Sequence, residues 1–176
     1  MERRAAIKNL LIIAGGIALL PSCAEEPGKA SIQLTHLDIS ADQEALLAEI
    51  AETFIPKTDG PGAKELNLHL FTLKMVDDCH GKDDQDSFVK GLNKINQLAK
   101  DKHQQPFAKC TPEQRSQLLT AAMQEEQTPK EIKTMLEISK HRVIQGFTNS
   151  KYVMTDLNKY ELVPGRYNGY FPVKQA

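Results

Sequence analysis

Long apolar runs are scarce in this chain. Beyond residue 20 there is none that could cross a bilayer, which takes roughly 20 consecutive apolar residues. Charge of one sign is missing as well: the formal net charge is −1, without the basic excess that nucleic-acid binding calls for. There are three cysteines, Cys23, Cys79 and Cys110, and a zinc site would want further Cys or His at short spacing. The five histidines, His36, His69, His80, His103 and His141, are scattered, and beyond the adjacent Cys79 and His80 none has an evident nucleophile partner. No G-x-G-x-x-G or phosphate loop is present, so no nucleotide cradle is visible. No G-x-S-x-G elbow is present either. Cys79-His80 has the ending of the haem-attachment motif C-x-x-C-H, but Val76 stands where its first cysteine belongs. The acidic run Asp77, Asp78, Asp83, Asp84 and Asp86 lacks the alternation, central glycine and late glutamate of a calcium loop. Acids at a helix start already have a use in complementing its dipole. The expectation is a chain with no catalytic residue, no metal site and no cofactor of its own.

What is present begins at the N-terminus. Arg3, Arg4 and Lys8 precede an apolar run from Leu10 to Leu20 that ends at Pro21-Ser22-Cys23. The run is about half a membrane span, the length of a signal-peptide core. Leu20-Pro21-Ser22-Cys23 resembles a bacterial lipobox, in which the cysteine is lipidated and becomes the new N-terminus. Each buried acyl CH2 contributes about 0.8 kcal/mol, so two or three chains would anchor the protein on a membrane. Arg3-Arg4-Ala5-Ala6-Ile7-Lys8 resembles a twin-arginine export signal, which serves proteins folded before export. Residues 1–22 are therefore read as a signal peptide, 23–39 as a tether and 40–176 as one domain. The signal carries a net +2, which leaves the remainder near −3. Export to an oxidising compartment permits a disulfide between Cys79 and Cys110. Closing a loop of about 30 residues would contribute roughly 3–4 kcal/mol. Two separate buried thiols are the alternative, because spacing alone does not bring the residues together.

The body reads as helical. Ser40 with Gln43 forms a capping-box pattern ahead of Leu46, Leu47, Ile50, Ala51, Phe54 and Ile55, until Pro56 stops the run. Leu68, Phe71, Met75 and Val76 mark a second helix. Phe88, Leu92, Ile95 and Ala99 mark a third, from Asp84 to Lys102. Thr111-Pro112-Glu113-Gln114 opens a fourth, with Leu118, Leu119, Ala122 and Met123 facing inward. Thr128-Pro129-Lys130-Glu131 repeats that start ahead of a fifth, expected to bury Ile132, Leu136, Val143, Ile144 and Phe147. No segment alternates with a period of two. The fold class expected is all-α, a small bundle of about five helices, followed by an irregular segment that holds all four tyrosines. Tyrosine suits sites with one dry and one wet end.

Three stretches carry a family resemblance. Ile55-Pro56-Lys57-Thr58-Asp59-Gly60-Pro61-Gly62-Ala63, Met75-Val76-Asp77-Asp78-Cys79 and Val163-Pro164-Gly165-Arg166-Tyr167-Asn168-Gly169 resemble, in order, the I-P-x-T-D-x-P-G-A, M-x-x-D-C and V-P-G-R-Y-x-G patterns of the gluconate 2-dehydrogenase subunit 3 family. The resemblance implies a non-catalytic small subunit of a membrane-bound sugar or sugar-acid dehydrogenase. It implies a large subunit of the glucose-methanol-choline type that carries FAD, and in some complexes a cytochrome c subunit. It also implies that the large subunit folds around FAD in the cytoplasm and leaves on the small subunit's twin-arginine signal. Tyr170 stands where family members often have a cysteine, so a bond from Cys79 would have to go to Cys110.

Two readings of function follow. One is an accessory subunit that escorts, stabilises and anchors a periplasmic flavoprotein. Its contacts would come from Thr58, Asp59, Pro61 and Gly62 in one exposed loop and from Pro164, Gly165, Arg166 and Tyr167 in another, arginine and tyrosine being prominent in interface energetics. Both loops also have a plain role as intramolecular turns, with Arg166 capping a helix end or pairing with Asp59. The other reading is a stand-alone, membrane-anchored lipoprotein without a flavoprotein partner. An enzyme would rest on Cys79 and His80 alone.

Overall fold

The computed structural model describes residues 28–158, 160, 161, 163, 165, 169 and 170. Arg3, Arg4, Cys23, Pro164, Arg166 and Tyr167 lie outside that set. The described residues form five α-helices: α1 (Ala41–Phe54), α2 (Leu68–Cys79), α3 (Lys82–His103), α4 (Pro112–Gln124) and α5 (Lys130–Thr148). A 3-10 turn, Phe107–Lys109, precedes α4, and a π-helical turn, Tyr152–Leu157, follows α5. Among the described residues there is no strand, only an isolated antiparallel bridge between Lys29 and Ser40. The expected all-α bundle is the observed fold.

Local chemistry sets the helix ends. Ser40 Oγ accepts from the Gln43 N–H at 3.2 Å, and Gln43 Oε1 accepts from the Ser40 N–H at 2.8 Å. Thr111 and Gln114 repeat the reciprocal pair at 3.3 and 3.0 Å, with Pro112 just inside α4. Each box satisfies two backbone donors that the first helical turn leaves over. Helix α3 has Asp83 and Asp84 in its first turn and Lys100, Lys102 and His103 in its last, the arrangement that complements the helix dipole. The Thr128 device fails: α5 begins at Lys130 after Pro129, with no side-chain cap. Thr128 is instead buried.

The core forms where α3 meets α5. Phe88, Leu92, Ile95 and Ala99 are fully buried on α3, facing a side of α5 that carries Ile132, Met135 and Leu136. Gly91 lies at the crossing. A Cβ there would overlap Met135 Cβ and stand 2.5 Å from the Glu131 carbonyl oxygen, so the helices approach more closely than any side chain allows. Gly146 repeats the device lower on α5, where a Cβ would stand 2.8 Å from Phe71 Cδ1 on α2. Ile144, expected inside, is 45% exposed. It is adjacent to the buried Val143, one residue round the helix and off the seam. Met135 and Ser139 occupy the buried positions instead.

The expected tether is also corrected over its described part. Residues 28–39 form a loop closed at its base by two backbone bonds, Ala30 N–H to Ile39 O and Ala41 N–H to Gly28 O, both 3.0 Å. Leu37 and Ile39 are buried in the main core, and Ala30, Ile32 and Leu34 pack against it. These apolar residues recur without helical spacing, which hid their burial.

Replacing Gly91 by Ala should lower the thermal midpoint. Overpacking costs about 1–3 kcal/mol, more than the ~1 kcal/mol that Ala contributes in a helix interior relative to Gly. An unchanged or higher midpoint in a thermal melt followed by circular dichroism would contradict the close crossing.

Candidate partner interface

The loop between α1 and α2 is built around Glu52. Its carboxylate accepts from the Lys57 N–H at 3.0 Å and from the Lys64 N–H at 2.8 Å, clasping both sides of the turn. Gly62 passes so close to this carboxylate that a Cβ would stand 2.5 Å from Oε1. Ala63 is fully buried, packs with Ala51, Leu68 and Val143, and donates its N–H to Ile55 O at 2.9 Å. The motif from Ile55 to Ala63 is thus first a device that turns the chain and seats α2 on α1.

The loop residues singled out in the sequence divide accordingly. Thr58 and Asp59 are exposed, Pro61 is half-buried and Gly62 is buried. Gly62 therefore cannot meet a partner directly, which corrects its expected place in an exposed contact set. Gly165 is exposed. The expected pairing of Arg166 with Asp59 lies outside the described residues.

The structure does join this loop to the C-terminal segment. The Tyr152 ring lies over Gly60, where a Cβ would stand 2.6 Å from the phenolic oxygen. The Phe147 and Tyr152 rings lie 6.5 Å apart and tilted by 53°. The exposed large hydrophobic residues among those described are Ile144, Leu157, Tyr160, Val163 and Tyr170. All belong to the last part of α5 or the chain after it. Exposed apolar residues concentrated in one segment mark an interaction site more readily than the same residues scattered singly.

Other polar groups hold the fold. Arg115 of α4 donates Nε to Phe107 O at 3.1 Å, pairs through Nη1 with Glu49 of α1, and lies 5.7 Å from the centre of the Phe107 ring. Lys64 joins Glu49 at 2.6 Å. Burial alone would raise the Glu49 pKa, but Lys64 and Arg115 outweigh it and hold the carboxyl below its ordinary value. Asp77 is 1% exposed, and its carboxylate receives the N–H groups of Thr35, His36 and Leu37 at 2.7, 2.7 and 2.8 Å. Burial pushes Asp77 up; the three N–H bonds, with Lys74 nearby, more than reverse it, so its pKa lies below the ordinary value of 3.8. Gln85 Nε2 donates to the carbonyls of Val76, Asp77 and His80, closing the end of α2.

No hydrogen bond joins Cys79 to His80. His80 Nε2 accepts from Arg142 Nε at 3.2 Å, and Nδ1 lies 3.4 Å from Asp84 Oδ2. Both ring nitrogens thus serve contacts between helices. The candidate Cys79–Cys110 bridge is not formed: Cys79 is an exposed free thiol at the end of α2, and Cys110 is a buried one before α4. Cys110 Sγ lies 3.6 Å from Pro106 O, a local contact. Among the described residues no three His, Cys, Asp or Glu side chains are grouped to hold a metal ion. No described helix is long and apolar enough to cross a membrane.

Glu52, Asp77 and Tyr152 are the residues that sequence reasoning missed as organisers. Only Tyr152 gave a signal, as one of the clustered tyrosines. Comparison with known protein families matches residues 41–165 to gluconate 2-dehydrogenase subunit 3. No curated protein and no solved structure matches the chain.

Asp77 predicts a pH dependence. Its lowered folded pKa contributes stability above the ordinary carboxylate value, and this is lost as pH falls through the folded value. Asp77→Asn should cost about 1.5–3 kcal/mol at pH 7, the worth of hydrogen bonds to a charged group. The gap should begin to narrow as pH falls below 3.8 and close only below the lowered folded value. Denaturant melts across that range decide it; a pH-independent difference would refute the assignment.

Proposed function

The chain belongs to the gluconate 2-dehydrogenase subunit 3 family, and on that premise we propose that it is a non-catalytic subunit that escorts, stabilises and anchors a periplasmic FAD-dependent dehydrogenase. The family name supports an accessory place in a dehydrogenase complex. The observation that carries the interface is the exposed apolar series Ile144, Leu157, Tyr160, Val163 and Tyr170. A large subunit of the glucose-methanol-choline type would cover this segment, together with Thr58 and Asp59 across the Tyr152 junction. FAD belongs to that partner, and a cytochrome c subunit would be a further member. The reading gives export to the twin-arginine-like start and anchoring to a lipid on Cys23.

Purifying the tagged protein from its own membranes in mild detergent tests the partnership. The expected eluate holds a larger chain in constant ratio and a flavin absorbance spectrum. A lone, colourless protein would favour the stand-alone lipoprotein. Arg3→Lys with Arg4→Lys should leave both this protein and its partner in the cytoplasm; export of the partner in that double variant would sink the escort role. Leu157→Lys should leave the fold and thermal midpoint intact yet weaken the complex by about 2 kcal/mol, roughly 30-fold in Kd. Undiminished co-purification and titrated affinity would exclude Leu157 from the interface.

A further inference from the structure

The His80 ring ties the corner between α2 and α3 to α5. His80 caps the end of α2, and its side chain is 15% exposed. Nε2 lies 3.2 Å from Arg142 Nε and 3.0 Å from Arg142 Nη2 on α5. Nδ1 lies 3.4 Å from Asp84 Oδ2 on α3. A guanidinium has donors only and stays protonated. Nε2 must therefore present a lone pair to Arg142, which places the ring proton on Nδ1, toward Asp84. This arrangement exists only with the imidazole neutral.

Histidine is the side chain whose charge changes between about pH 5 and pH 8. A second proton would go to Nε2. There it removes the lone pair that Arg142 uses and sets two cations against each other. On the opposite side of the ring it turns the contact with Asp84 into a bond between opposite charges, which is shorter and stronger than a neutral one. The other charges at this corner have partners of their own. Asp77 receives the N–H groups of Thr35, His36 and Leu37, Lys74 lies 3.1 Å from Asp78, and Lys82 lies 2.8 Å from Asp86. His36 lines the same cavity as His80 and is exposed. We propose that His80 is a proton-operated clasp: neutral, it holds α5 through Arg142; protonated, it releases Arg142 and pairs with Asp84. The corner stays closed in both states, because Gln85 Nε2 holds the carbonyls of Val76, Asp77 and His80. Arg142 keeps a bond on its own helix, from Nη1 to Gln145 Oε1 at 2.8 Å. Acidification thus exchanges a tie between α5 and the corner for one within the corner.

The test is a nuclear magnetic resonance titration of the full-length, isotope-labelled chain in mild detergent, from about pH 8 to about pH 5, the span over which histidine titrates. At the alkaline end the His80 ring should carry its proton on Nδ1 and none on Nε2. As His80 takes up its second proton, the Arg142 Nε–H signal should shift and its exchange with water should quicken, both with the midpoint of the His80 ring. A proton on Nε2 at the alkaline end overturns the clasp. So does an Arg142 signal that stays still while His80 titrates, or a His80 that stays neutral to the acidic end. His80→Gln separates this ring from His36, His69, His103 and His141. The Arg142 response should vanish in that variant; a response that persists belongs to another group and overturns the assignment. Asp84→Asn should move the midpoint of both signals to lower pH, and an unmoved midpoint overturns the exchange of partners. The measurements on the unaltered chain decide the proposal even where a variant fails to fold.

Discussion

The approach of α3 to α5 at Gly91 sets the spacing on which the other helices depend. With Met135 and the Glu131 carbonyl against the Gly91 backbone, the two longest helices pack with no side chain from α3 at that point. Phe88, Leu92 and Ile95 then fill the space on either side at full burial. Helix α5 also receives α2 at Gly146 and α1 near Val143. Interiors packed to crystal-like density transmit a shift in one contact to its neighbours. Small residues at two points of one helix therefore govern where the rest of the bundle sits.

Two non-helical segments are attached to that frame by the same means. A carboxylate near a helix end receives backbone N–H groups that no helix or strand satisfies. Glu52 does this for the α1–α2 turn, and Asp77 for the 28–40 loop. Buried N–H groups need partners, and an ionised acceptor gives stronger bonds than a neutral one. The same two carboxylates also fix where the ends of α1 lie relative to everything attached to them.

The helices were legible in the sequence because their signals are local. The Ser40 and Thr111 boxes and the spacing of Phe88, Leu92, Ile95 and Ala99 need only a few neighbouring residues to be read. What escaped depends on distant partners. Asp77 stands among acids that look like a helix boundary, and only the folded chain brings Thr35 to Leu37 onto it. The loop over residues 28–39 lacks periodicity, since its apolar side chains follow a path set by the bundle. Ile144 follows the helical pattern one residue too far. In the loop between α1 and α2, the sequence did not show the division of its residues: Gly62 turns inward under Glu52, while Thr58 and Asp59 face out.

That division shows what the Ile55–Ala63 motif does. Its glycines and alanine are accounted for within the chain, by the Glu52 carboxylate, the Tyr152 ring and the small core around Ala51 and Val143. What it leaves exposed is the short run Pro56, Lys57, Thr58 and Asp59. On the proposed reading, a partner would draw on more than the motif, and the exposed apolar residues after Val143 would supply it. Tyr152 links the two, because it packs on Gly60 and begins the segment that carries Leu157 and Tyr160. A partner that covered Leu157 would meet chain whose position is set through Tyr152 by Gly60, and so by the turn that Glu52 holds. The motif would then act on recognition indirectly, by placing a surface whose contacts are made by other residues.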